Sequence, residues 1–144
     1  MGMTITEKIL ARAGSVAKVA PGDVAVVDVE TACLLDLSFL PEGWRDVLKV
    51  ADPSKVVIVF DHLVPAPTVQ AAACMRTGRE FAKKFGIQRL HDVGADQGIS
   101  HAVIADKAYA LPGTVLVNAD SHTCSAGAFN CAARGVADPT CCTR

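Results

Sequence analysis

The chain has 144 residues and a mass of 15.0 kDa, room for one domain or for part of a larger one. Hydrophobic residues make up 51%, charged residues 20%, and the net charge is −1, which excludes a disordered charged tail and leaves no basic excess for nucleic-acid binding. Aromatic residues are only 5%, so the core must come from Ala, Val, Leu and Ile, a composition suited to helices packed on a sheet.

At the N-terminus Glu7 and Lys8 interrupt any apolar run, so no secretory signal is read there. Thr4 and Glu7 have capping-box spacing and Gly14 supplies a stop, which predicts a helix over residues 5–13. Pro21-Gly22 makes a turn, and the Val-rich stretch Asp23 to Val29 is expected as a strand. Glu30 to Val50 is read as loop plus a short helix. Val56 to Phe60 is a continuous β-branched run, as in strands buried on both faces of a parallel sheet. A helix opens at Pro67, with Val69, Ala73, Phe81 and Phe85 at multiples of four, and stops at Gly86. Ile87 to Val93 is a further strand candidate, followed by a polar loop over Gly94 to Ser100. Thr114 to Asn118 is the next strand, and Ser125 to Arg134 reads as a small-residue helix. Strands alternate with helices, so the fold class is α/β with a largely parallel sheet in three layers.

The longest apolar runs are far shorter than the ~20 residues that a membrane span needs. The six cysteines include no C-x-x-C, and a reduced, cytoplasmic protein is expected. Cys33, Cys74, Cys124 and Cys131 are read as packing residues.

The chemistry gathers at strand ends, where open α/β sheets bind ligands. Val56–Phe60 runs into Asp61-His62, and Thr114–Asn118 runs toward Asp120-Ser121-His122-Thr123; His101 follows the glycine-containing loop. Carboxylates beside imidazoles fix a tautomer and favour the imidazolium, the equipment of acid–base work on an anionic substrate. Hydroxyls of Ser121 and Thr123 are candidate carboxylate contacts. Neighbouring residues of an extended segment face opposite sides, so Asp61 and His62 should be poor mutual partners and Asp120 with His101 a better pair. His91 is read as structural.

Val57 to Thr68, with Asp61-His62 at its centre, and Asn118 to Cys124, with Asp120-Ser121-His122, resemble two signatures of the aconitase superfamily, within it the isopropylmalate dehydratase branch. Arg79 to Gly86 and Gly98-Ile99-Ser100-His101 match in the same order, and the resemblance spans Thr4 to about Val136. It implies a three-layer aconitase-like N-terminal α/β domain and the dehydration and rehydration of a hydroxy-di- or tricarboxylate. It further implies a [4Fe-4S] cluster and a small, swivelling-domain subunit as partner. By the same resemblance Asp61, His62, His101, Asp120 and His122 are catalytic; Ser121, Thr123, Asp36 and Ser38 contact substrate, with Leu35 and Ser38 departing from the family's usual residues. The family's cluster-ligating cysteines have no counterpart here, Cys124 belonging to the histidine motif, so no residue is assigned to a metal. Residues 1–144 are expected to form one partial domain with an atypical tail over 137–144, inactive alone and prone to self-association. Two other readings are a non-catalytic remnant that binds a carboxylate or a partner subunit, and a small metal-dependent hydrolase using His101, His122 and an aspartate.

Overall fold

A computed structural model describes residues 2–136, and the expected atypical tail, with Cys141 and Cys142, lies outside the described residues. The first helix, α1 (Ile5–Ala13), forms as its caps dictate: Glu7 N donates to Thr4 Oγ1 and Thr4 N to the Glu7 carboxylate, and Gly14 closes the last turn. Its Ile9 and Ala11 are buried, and it packs near the β4–β5 side of the sheet described below.

The strand expected over Asp23 to Val29 is absent. The segment is irregular, and Val24 and Val26 are 97% and 90% exposed. Valine content alone does not make a strand, because a ladder needs a neighbour with free backbone groups. The ladder begins instead at β1 (Thr31–Leu35), inside the stretch read as loop, and is followed by a 3₁₀ turn, Asp36–Phe39. Next come β2 (Val56–Val59), α2 (Val69–Phe85), β3 (Arg89–His91), α3 (Ser100–Asp106), β4 (Val115–Asn118), a 3₁₀ segment Thr123–Phe129 and β5 (Ala132–Gly135). The helix expected over Ser125 to Arg134 is thus a 3₁₀ segment and then a strand. Asn130 stops the turn with a left-handed φ of 58°, and Ala132–Gly135 pairs with Val115–Asn118.

The five strands are all parallel, in the order β3-β2-β1-β4-β5. The α/β class with a parallel sheet is what the alternating pattern required. Period-2 alternation splits the strands' side chains between two cores. Leu34, Val56 and Ile58 join Phe39, Cys74, Met75, Phe81 and Ala82 under α2. Cys33, Leu35, Val57, Val59 and Leu116 join Val103, Ile104 and Ala126 on the opposite face. Helix α2 starts from the Thr68 cap, whose hydroxyl accepts from Ala71 N, and ends at Gly86 with φ 70°. Its buried stripe is Ala71, Cys74, Met75, Gly78, Phe81 and Ala82; Val69, expected inside, is 89% exposed. The topology leaves β1 between β2 and β4, so the chain leaves β1, β2 and β4 at one edge, on either side of the switch between strands that continue left and right.

Candidate functional site

Three acidic residues sit at that edge, one after each of the three inner strands. Asp36 follows β1, Asp61 follows β2 by one residue, and Asp120 follows β4 by one. Asp36 is fully buried. Its Oδ1 accepts from Leu37 N at 3.0 Å and His62 N at 3.4 Å, and its Oδ2 from Leu63 N at 2.6 Å. This corrects the expectation of a substrate contact: the carboxylate ties the start of the β1 turn to the loop after β2 and offers no oxygen to a ligand. Burial nevertheless pushes its pKa up, against the lowering effect of the Leu63 and Leu37 amides.

The loop held by Asp36 carries His62, whose Nδ1 donates to Asp61 Oδ1 at 2.6 Å. The alternation argument against this pair fails because both residues lie beyond the last ladder residue, where the backbone bends and neighbouring side chains can converge. Asp61 Oδ2 accepts from Ser100 N at 2.7 Å, which joins the β2 loop to the first turn of α3. That turn presents His101, whose Nε2 lies 3.0 Å from Asp120 Oδ1, the cross-pairing expected on geometric grounds. His62 Nε2 is 3.5 Å from Asp120 Oδ2, and His122 Nδ1 is 3.6 Å from Asp120 Oδ1. Asp120 is therefore the hub: its side chain is 7% exposed, its Oδ1 also accepts from His122 N at 2.6 Å, and three imidazoles surround it.

Partial burial works against charge on His62, but the hydrogen bond to Asp61 and the fields of Asp61, Asp36 and Asp120 outweigh it and raise its pKa. Asp120 is moved the other way: burial opposes its charge, yet the His122 amide and the nearby His101, His122 and His62 rings hold its carboxyl below the usual range.

The remaining expected contacts divide. Ser121 is exposed, with Oγ 3.2 Å from His122 Nδ1. Thr123 is 1% exposed and donates to Asp120 O, and the half-buried Ser38 accepts through Oγ from Leu35 N, so both hydroxyls brace the backbone beneath the site. His91 lies apart, buried between Tyr109 OH at 3.0 Å and Asp96 O at 3.2 Å. A cavity of about 360 Å³ opens beside Asp120, lined by Ser121, Cys124, Arg134 and Gly135 among others. Arg134 was not anticipated, because its strand was read as helix. Asn118, fully buried with both amide atoms unpartnered, was also missed, since a strand-end Asn carries no sequence signal of that kind. Cys124, expected as packing, is exposed.

The described residues do not fit an iron–sulfur cluster. Cys33 and Cys131 lie in the core opposite α2 and Cys74 in the core under it, with Cys33 and Cys131 donating to backbone carbonyls. Burial pushes the Cys33 thiol far up, away from the thiolate that iron needs. The two groupings of convergent metal-capable donors among the described residues contain no sulfur.

Residues 41–140 match the Aconitase family (aconitate hydratase). The chain is 52% identical over 136 residues to a 3-isopropylmalate dehydratase large subunit of Mycolicibacterium smegmatis, covering 94% of this chain and 32% of that one. It is 41% identical over 142 residues to a probable methanogen homoaconitase large subunit of Methanothermobacter thermautotrophicus, covering 93% and 33%. The chain thus spans about a third of the length of the curated relatives it matches.

Proposed function

Because the chain belongs to the aconitase family, we propose that it supplies the histidine–aspartate half of a hydro-lyase site for a hydroxy-di- or tricarboxylate, of the 3-isopropylmalate dehydratase kind. The observation that carries this reading is the convergence of His62, His101 and His122 on one buried carboxylate, Asp120, at the ligand-binding edge of the sheet. Dehydration needs a proton delivered to a departing hydroxyl. His62, whose pKa the Asp61 hydrogen bond and the fields of Asp61, Asp36 and Asp120 raise against the opposing effect of burial, is suited to that delivery. His101 Nε2 stands 3.0 Å from Asp120 Oδ1, so the carboxylate positions this ring beside His62 at the site. Ser121 and Arg134, beside the cavity, are the groups available to a substrate carboxylate. No step is assigned to a cluster, for which the described residues hold no set of thiolates. The names of the relatives as large subunits support a small-subunit partner, and the reading places the protein in the cytoplasm. Residues 1–144 are read as one partial domain.

The cavity beside Asp120, with Ser121 and Arg134 in its lining, also suits a second reading, a carboxylate- or partner-binding module without turnover. A chimera separates the two: residues 4–136 replace the corresponding part of the Mycolicibacterium smegmatis large subunit, assayed with its small subunit on 3-isopropylmalate. The dehydratase reading expects turnover, reduced about 10²–10⁴-fold by His101→Gln or His62→Gln. A folded, inactive chimera favours the module. The isolated chain, after anaerobic treatment with iron and sulfide, should hold no stoichiometric cluster and turn over no hydroxy-carboxylate.

A further inference from the structure

Of the two sulfur-free donor groups, Asp36–Asp61–His62 is closed to a ligand. Asp36 is saturated by amides, and Asp61 is engaged by His62 and by Ser100 N. The other, His101–Asp120–His122, is open. We propose that His101, Asp120 and His122 form a binding site for a divalent first-row transition-metal ion of the zinc type, held by two imidazoles and one carboxylate without thiolates.

The geometry is near that of a loaded site. One donor atom from each residue lies within 4.8 Å of the other two. Ligands at ~2.0–2.2 Å around a tetrahedral ion stand roughly 3.3–3.6 Å apart. His101 Nε2 and Asp120 Oδ1 are 3.0 Å apart, and Asp120 Oδ1 and His122 Nδ1 are 3.6 Å apart. The third edge, between the two imidazoles, is adjustable by turning the His122 ring, which is 81% exposed and hydrogen-bonded only to Ser121 Oγ. Two histidines and one carboxylate with further positions open are a donor set that suits zinc or ferrous iron, ions that accept imidazole.

The surroundings complete the site. Asp120 is aimed from behind by His62 at its Oδ2 and by the His122 amide at its Oδ1, the outer-shell support that fixes a ligating carboxylate. A dication on one carboxylate and two neutral rings leaves a net positive charge, which is exposed to solvent on the His122 side of the site. The adjoining cavity provides entry and room for water in the open positions. The site draws on residues that the dehydratase reading also uses, but its test reads metal binding alone and stands whether or not the chain turns over a hydroxy-carboxylate.

The test is calorimetric titration of Zn²⁺ into the reduced, chelator-treated 144-residue chain, paired with ¹⁵N spectra of the histidine rings. The expected result is one Zn²⁺ per chain, with the ring nitrogens of His101 and His122 shifted and those of His91 unmoved. The triple variant Cys124→Ser, Cys141→Ser, Cys142→Ser keeps the affinity. His122→Ala, at an exposed ring whose removal spares the core, lowers it at least ~10-fold, and His62→Gln lowers it by about 10–100-fold through loss of outer-shell support. The proposal is overturned by absence of saturable 1:1 binding, by binding that the cysteine variant abolishes, by binding unchanged in His122→Ala, or by unmoved ring nitrogens at His101 and His122.

Discussion

Both carboxylate oxygens of Asp36 are occupied by backbone amides, so the residue acts as a fastener between the turn after β1 and the loop that carries His62. Asparagine has the same shape but one acceptor oxygen, and its NH₂ would face an amide N–H. Asp36→Asn should therefore cost about 1–3 kcal/mol of stability, read from urea denaturation. A substitution that leaves the denaturation midpoint in place would remove the fastening role. His62 offers a second residue-scale test, through pH. Its pKa is raised in the fold, so its pairing with the carboxylates stabilises fully below the unfolded value near 6.5 and is lost as pH rises through the higher folded value. Stability should accordingly decline over that window above pH 6.5, and Asp61→Asn should flatten the decline. Asp120 contributes in the opposite sense: its pKa is lowered, so its share is present above the ordinary aspartate range and fades as pH falls through its folded value.

Two glycines show how elements constrain the site from a distance. Gly78, on the buried stripe of α2, lets the helix settle on the aromatic side chains beneath it; an added Cβ would stand 2.7 Å from Phe60 Cζ and 3.0 Å from Phe39 Cε2. Those rings belong to a packed group with Trp44 and Phe81 and have little room to move. Gly78→Ala should thus cost about 1–3 kcal/mol by overpacking, with the site's histidine signals little changed. Gly135 ends β5 against the loop from β4, and a Cβ there would lie 2.5 Å from the backbone oxygen of Asp120. That contact is with backbone, so the Asp120 loop itself must shift. Gly135→Ala should move the ring signals of His101 and His122, the two effects being separated by comparing thermal melts with histidine spectra.

Among the described residues the sheet ends in two open edges, β3 and β5, and bears several bare apolar side chains: Val24, Val26 and Leu48 are each at least 90% exposed. Unpaired strand edges and exposed apolar side chains both favour association. Sedimentation should show concentration-dependent self-association that Val24→Lys with Val26→Lys reduces; a monomer at all concentrations would assign these side chains to ordinary solvent exposure. Among the described residues no helix is long and apolar enough to cross a membrane.

Local chemistry was legible in the residues themselves. The Thr4–Glu7 cap, the Gly86 stop, the β-branched run of β2 and the period of strands and helices depend on neighbours a few positions away, and they led to the parallel α/β class. The strand-end Asp and His residues were legible because a parallel sheet delivers its strand ends to one edge. Three things were decided only by contacts between distant segments. The Val-rich stretch before β1 found no neighbour, while Thr31–Leu35 became the central strand by pairing with both Val56–Val59 and Val115–Asn118. Ala132–Gly135 became a strand because β4 had a free edge, overriding a small-residue pattern that suits a helix. The division of labour among the polar groups was also tertiary. Asp36, Ser38 and Thr123 satisfy backbone groups beneath the site, and Asp120 meets three histidines from three separate segments, because which carboxylate meets which imidazole depends on how the strand-end segments fold over one another.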